Sequence, residues 1–164
     1  GVSGVEVRTA PQLEIFKTVL VEALQEISRM LIRDGEGVTK VVEIKVRGAT
    51  SNKEALQIAD TVAHSPLVKT AFFGQDANWG RIIAAVGRSG IPIDPDRIDL
   101  YFDHVKLVSQ GSYCGADAEA QAASILQQSE FAVTIDLNAG SGCDAILTSD
   151  LSVEYVQINA DYRT

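Results

Sequence analysis

The chain has 164 residues, of which 46% are hydrophobic and 22% are charged, a composition typical of one globular domain with a buried core. The formal net charge of −8 disfavours binding to nucleic-acid phosphates or to an anionic membrane surface. No apolar run approaches the roughly 18–20 residues that a transmembrane helix needs, and the first residues lack the pattern of a signal peptide.

The first predicted element is a long helix in TAPQLEIFKTVLVEALQEISRMLIRDGEG, which Thr9 can cap, Pro11 suits at its first turn and Gly35 can end. Its apolar residues fall into two stripes, so we expect cover on more than one side, beyond what this chain alone supplies. One stripe contains Leu13, Phe16, Leu20, Leu24, Ile27 and Leu31, and the other contains Ile15, Val19, Ala23, Met30 and Ile32.

The segments after this helix alternate between strand and helix patterns. Residues 39–49 alternate apolar and charged side chains, as a half-buried strand does, and residues 51–65 form a helix that opens with the capping-box pair Ser51 and Glu54. The further predictions are a short strand near 67–73, a helix over 79–87, a hairpin within 97–111, a helix within 117–128, a strand within 130–138, a flexible turn at 139–144 and one or two strands that extend to residue 164. This mixture predicts an α+β fold, with a mixed, layered sheet packed with helices, rather than a doubly wound parallel sheet.

Signatures of catalysis are sparse in the chain. It has no G-x-S-x-G elbow, phosphate-binding loop, H-E-x-x-H pair or dinucleotide fingerprint. Cys114 and Cys143 are interpreted as reduced thiols, and His64 and His104 as structural or solvated side chains. Their scattered spacing predicts no metal site.

Three stretches allow two interpretations each. Glu36, between Gly35 and Gly37, is either an incidental carboxylate after an ordinary helix end or a side chain aimed at a ligand by a backbone that can adopt positive φ. In FFGQDANWGR, Asn78 either caps a helix or binds an anion there together with Arg81. The tail QINADYRT either frays or is held in place as a continuation of the preceding strand.

The phrases RDGEGVTK, SPLVKTAFFGQDANWGRI and SDLSVEYVQINADYRT together resemble the C-terminal part of the ornithine acetyltransferase family, the bifunctional glutamate N-acetyltransferases of arginine biosynthesis. The likeness covers nearly the whole chain. It implies a precursor that cleaves itself before a threonine, whose hydroxyl takes acetyl from N-acetylornithine and passes it to glutamate through an acetyl-threonine intermediate, giving ornithine and N-acetylglutamate. It also implies a cytoplasmic enzyme (mitochondrial matrix in a eukaryote) without a bound cofactor, although acetyl-CoA is an acetyl donor for some members.

The resemblance also implies roles for residues and segments. Glu36, Asn159 and Thr164 match the family's substrate-binding residues; Glu36 can pair with an ammonium, and the other two can donate to a carboxylate. By the same resemblance, residues 1–37 belong to a larger catalytic domain, residues 38–142 form a smaller α/β domain that includes a structural NWGR stretch, and residues 143–164 are a tail that returns toward the active site.

No stretch of the chain matches the family's cleavage motif, so we expect the nucleophilic threonine to lie on upstream sequence and this chain to be inactive alone. The expected partners are the upstream α chain and the N-terminal part of the β chain, in a hetero-oligomer of processed chains that binds N-acetylornithine and glutamate. The alternative is a non-catalytic small-molecule-binding or interaction domain with the same fold.

Overall fold

A computed structural model describes residues 2–161, in which six strands form one sheet in the order β4-β3-β2-β5-β1-β6. Strands β1 and β5 are parallel, and the other neighbouring strands are antiparallel. The predicted α+β fold with a mixed sheet is therefore confirmed. The elements, in chain order, are α1 (Ala10–Arg33), β1 (Val41–Ala49), α2 (Asn52–Ala63), α3 (Pro66–Phe73), α4 (Trp79–Gly87), a 3-10 turn (Pro95–Arg97), β2 (Asp99–Phe102), β3 (Val105–Ser109), β4 (Ser112–Tyr113), α5 (Ala116–Ile125), β5 (Glu130–Asp136), β6 (Gly142–Ser149) and α6 (Val153–Asp161).

The core lies between one face of the sheet and helices α2 to α5. Alternate residues of β1 point into it, and Val42, Ile44 and Val46 are almost fully buried. The predicted inner face of α2 meets them, since Ala55, Ile58, Ala59 and Val62 are all buried in the same cluster. Because side chains alternate across a strand, the opposite face of the sheet carries the polar residues of these strands.

Helix α1 lies outside this core, on the opposite face of the sheet. Its predicted start is confirmed: the Thr9 hydroxyl accepts from the Gln12 backbone, and the Gln12 side chain accepts from the Thr9 N–H, a reciprocal capping box. Near its end, Arg29 Nε donates to Glu130 Oε1 on β5 at 3.1 Å. No residue of α1 is buried, and Phe16 is 52% exposed. The described residues therefore leave most of the two apolar stripes of α1 exposed, as the sequence predicts.

Three segments differ from their predictions. The predicted strand near 67–73 is the helix α3, because Pro66 occupies its first turn and favours helical φ there. The tail was predicted to continue as a strand, but Val153–Asp161 form the helix α6. The Ser152 hydroxyl caps this helix by accepting from Tyr155 N at 3.1 Å. The predicted flexible turn at 139–144 is shorter than expected, because β6 already begins at Gly142.

None of the helices within residues 2–161 is both long enough and apolar enough to cross a membrane.

Candidate substrate site

The loop after α1 passes directly beneath the first turn of α6. Helix α1 ends at Arg33, and Gly35 N donates to Ile32 O at 3.1 Å. Gly37 has a different role: its φ is +65°, and a Cβ there would lie 2.5 Å from Tyr155 N and 2.8 Å from Ser152 Oγ. The second glycine is needed because the loop and the tail helix approach each other too closely for a side chain.

This approach brings together two of the residues that the resemblance marks. Asn159 Nδ2 on α6 donates to Glu36 Oε2 at 3.1 Å, and also to Tyr155 O at 2.9 Å. Both amide protons of Asn159 are therefore engaged within the chain, which leaves none for the carboxylate that Asn159 was expected to bind. Among residues 2–161, no hydrogen bond reaches the Asn159 amide oxygen or the other oxygen of Glu36. The exposed pair thus presents two acceptors, which suits a cation such as an ammonium group.

Thr164, the third residue of that set, lies outside the described residues, so its predicted role stays a prediction.

A buried carboxylate fixes the loop and the tail relative to each other. Asp150, only 3% exposed, accepts from the backbone N–H groups of Thr39 and Lys40 at 3.0 Å each and from the Thr39 hydroxyl. It thereby joins the end of β6 to the segment that leads into β1. Asp150 was not predicted from the sequence; the signal for it is an acidic residue directly after a strand and two residues before the helix-capping Ser152.

A cleft of about 490 Å³ opens beside this loop, and Glu36, Val38, Lys69, Ser149 and Tyr155 are among its lining residues. Lys69, on α3, is half-buried, and its Nζ donates to Ser149 Oγ at 3.2 Å and Thr148 Oγ1 at 3.4 Å. Burial lowers the pKa of Lys69, and the nearby charge of Asp150 opposes this shift. The lining of the cleft therefore includes both an anionic group, Glu36, and a cationic group, Lys69.

The FFGQDANWGR stretch has contacts that favour a structural role. Asn78 Oδ1 accepts from Arg81 N at 3.1 Å and caps α4, as predicted. The Arg81 guanidinium donates to Leu67 O at 3.0 Å and Thr70 Oγ1 at 3.3 Å, which ties α4 to α3. Trp79 stacks on Tyr113 with the ring centroids 6.1 Å apart.

The two cysteines are not among the residues that line this cleft, whereas His64 is. Cys114 and Cys143 are exposed free thiols. His64 ends α2, and its Nδ1 lies 3.0 Å from Asp60 O, where it faces solvent as predicted. Within the described part of the chain, no group of three or more His, Cys, Asp or Glu side chains could hold a metal ion.

Comparison with known proteins gives consistent matches along the chain. The model of the ArgJ family matches residues 2–164. The arginine biosynthesis bifunctional protein ArgJ of Geobacter sulfurreducens is 54% identical over 91% of this chain, and that of Rhizobium meliloti is 40% identical over the whole chain. The chain spans 38% and 40% of the lengths of these two relatives. The crystal structure of the arginine biosynthesis bifunctional protein ArgJ from Bacillus halodurans aligns with 99% of this chain and 77% of its own at a TM-score of 0.91 and 35% identity.

Proposed function

Because the chain belongs to the ArgJ family, we propose that it supplies part of the substrate pocket of an acetyltransferase of arginine biosynthesis. The proposed reaction moves acetyl from N-acetylornithine to glutamate and gives ornithine and N-acetylglutamate. An acetyl-threonine intermediate forms on a nucleophile outside this chain, in the remainder of the longer protein. In this scheme the chain binds and orients substrate, and it does not catalyse the transfer alone.

One observation supports the proposal more than any other: the hydrogen bond from Asn159 to Glu36. It joins two residues 123 positions apart that the family resemblance independently marks as substrate ligands. The acceptors that remain on this pair fit the side-chain ammonium of N-acetylornithine, whose α-nitrogen is already acetylated and uncharged. A carboxylate whose position is fixed by an amide neighbour is a preorganised partner for that ammonium.

A further proposal concerns the uncovered surface of α1. Exposed apolar side chains on this scale mark a contact surface, and we propose that the remainder of the protein covers it in a hetero-oligomer of processed chains. In that assembly residues 1–37 belong to the catalytic domain, 38–142 to the smaller domain and 143–164 to the returning tail.

The enzyme is proposed to be cytoplasmic and to need no bound cofactor. Whether acetyl-CoA serves as a second acetyl donor is a separate test.

The test uses the complete enzyme and N-acetylornithine as donor. We expect Glu36→Ala to lower kcat/KM by about 10- to 100-fold, the effect of losing one charge-assisted hydrogen bond. Asn159→Ala should act in the same direction, because it releases the Glu36 side chain. Asp117→Asn is the control. This exposed carboxyl lies on α5, which packs against β3, at the other end of the sheet from β6.

Transfer that is unchanged in Glu36→Ala would contradict the role of Glu36. A complete protein that binds N-acetylornithine but transfers no acetyl would instead support the alternative, a binding domain with the same fold.

A further inference from the structure

Glu36 lies at the corner of a tight turn. Val38 N donates to Gly35 O at 3.1 Å, and Gly37, the third residue of the turn, has a φ of +65°. These four residues form a β-turn that is closed by the hydrogen bond between its ends, and Glu36 is its second residue. The direction of the Glu36 side chain therefore depends on how the two ends of this turn are held.

Asp150 holds the end of the turn that leads into β1. Its Oδ1 accepts from Thr39 N and Lys40 N at 3.0 Å each, its Oδ2 accepts from the Thr39 hydroxyl, and Thr39 directly follows Val38, the last residue of the turn. Asp150 is only 3% exposed, so without the Thr39 hydroxyl its Oδ2 would be buried with no donor among the described residues. A buried acceptor without a donor is costly, so this contact holds Thr39 firmly in place.

The same residue fixes the start of the tail helix. Asp150 N donates to Lys40 O at 3.3 Å, and Ser152, two residues later, caps α6, the helix that carries Asn159. Glu36 and Asn159 thus lie on two segments that are both attached through one buried carboxylate residue.

We propose that Asp150 is a positioning residue of the substrate site: through Thr39 it sets the turn so that the Glu36 carboxylate keeps its place beside Asn159 and faces the substrate. Asp150 acts through the Thr39 and Lys40 N–H groups and the Thr39 hydroxyl, which together engage both of its carboxylate oxygens. An amide could accept at one oxygen only, so a carboxylate suits this position better than asparagine. This inference rests on the proposed function of the Glu36–Asn159 pair.

The test is a double-mutant cycle in the complete enzyme with N-acetylornithine as donor, between Glu36→Ala and Thr39→Val, which removes the hydroxyl and keeps the shape. With Glu36 present, we expect Thr39→Val to lower kcat/KM by about 3- to 10-fold, and Asp150→Asn by on the order of tenfold. In the Glu36→Ala background the same substitutions should change kcat/KM by less than about twofold, because the side chain that they position is gone. Thr39→Ser keeps the hydroxyl and should retain most of the wild-type kcat/KM.

The matched control is Thr50→Val, since Thr50 follows the other end of β1 and its hydroxyl also donates to a carboxylate, that of Glu54. Equal fold-losses from Thr39→Val with and without Glu36, or no loss in either background, would overturn the positioning role. If Asp150→Asn does not fold, Thr39→Val carries the cycle, because Thr39 is exposed. An unchanged kcat/KM in Glu36→Ala removes the proposed function of Glu36, whereas losses from Glu36→Ala and Thr39→Val that simply multiply remove this inference alone.

Discussion

Gly37 and Tyr155 are in such close contact that a Cβ on Gly37 would lie 2.5 Å from the Tyr155 backbone nitrogen. This contact sets the distance between the loop that carries Glu36 and the helix that carries Asn159. Nothing larger than glycine fits there without moving α6, and α6 holds one member of the pair.

Gly37→Ala is therefore expected to disturb both stability and substrate affinity. Alanine at a φ of +65° is strained, by about 1–3 kcal/mol, and its methyl group would push against backbone rather than against a flexible side chain. We expect a lower midpoint of thermal unfolding and a higher KM for N-acetylornithine in the complete enzyme. Gly87→Ala is the control, because a Cβ there meets nothing within 4 Å. If the two variants have the same midpoint of thermal unfolding and the same KM, the close approach of Gly37 to Tyr155 affects neither stability nor substrate affinity.

Charged substitutions on the apolar stripe of α1 should have different effects on the isolated chain and on the complete protein. Leu20 and Ile27 are 43% and 51% exposed on one stripe. In the isolated 164-residue chain, Leu20→Glu with Ile27→Glu should reduce self-association in sedimentation velocity and leave thermal unfolding nearly unchanged. In the complete protein the same pair should destabilise, since two charges would enter a covered surface.

The control for this pair is Glu26→Gln, which changes charge on the same helix without removing apolar surface. A complete protein that tolerates the double glutamate variant would show that α1 stays uncovered there too.

Asp99 predicts a pH dependence of stability. Burial raises the pKa of Asp99, but hydrogen bonds from Gln110 N and Lys106 Nζ, at 2.8 Å and 2.9 Å, outweigh it and hold the pKa below the ordinary value of 3.8. A carboxyl with a depressed pKa in the folded state stabilises above its unfolded pKa, and that stabilisation is lost as the pH falls through the folded value. The contribution is thus complete at neutral pH and declines below about pH 4.

Asp99→Asn should therefore be less stable than the wild type at pH 7, and the difference should shrink as the pH falls toward 2. The measurement is the free energy of urea unfolding as a function of pH. Lys106→Met, which removes one donor to Asp99, should reduce the same dependence by a smaller amount. A difference between Asp99→Asn and the wild type that is constant with pH would contradict this assignment.

Local patterns were sufficient for most of the fold. The alternation in β1 and the spacing of α2 each bury one face of an element, and the caps at Thr9 and Asn78 depend on residues no more than three positions away. The two wrong strand predictions have a common cause. Short apolar runs fit both periodicities, and here the helix is favoured by Pro66, the first residue of α3, and by Ser152, the capping residue before α6.

The candidate site could be predicted only in part, because it depends on tertiary contacts. Motif resemblance marked Glu36 and Asn159, yet nothing local indicates that they share a hydrogen bond. Likewise, the spacing around Lys69 gives no sign that Ser149 lies 3.2 Å from its ammonium. Both contacts arise from the position of β6 next to β1 at the edge of the sheet.

That position of β6 also has a consequence for the order of folding. The Glu36–Asn159 contact closes a loop of 123 residues, and β6, the strand that brings the tail back, is the last strand in the chain. Contacts of such long range carry a large loop-closure entropy and form late, after the local structure that brings their ends together. We therefore expect the pair to form only after β6 has joined the sheet, so a chain that stops short of β6 cannot bring Glu36 and Asn159 together.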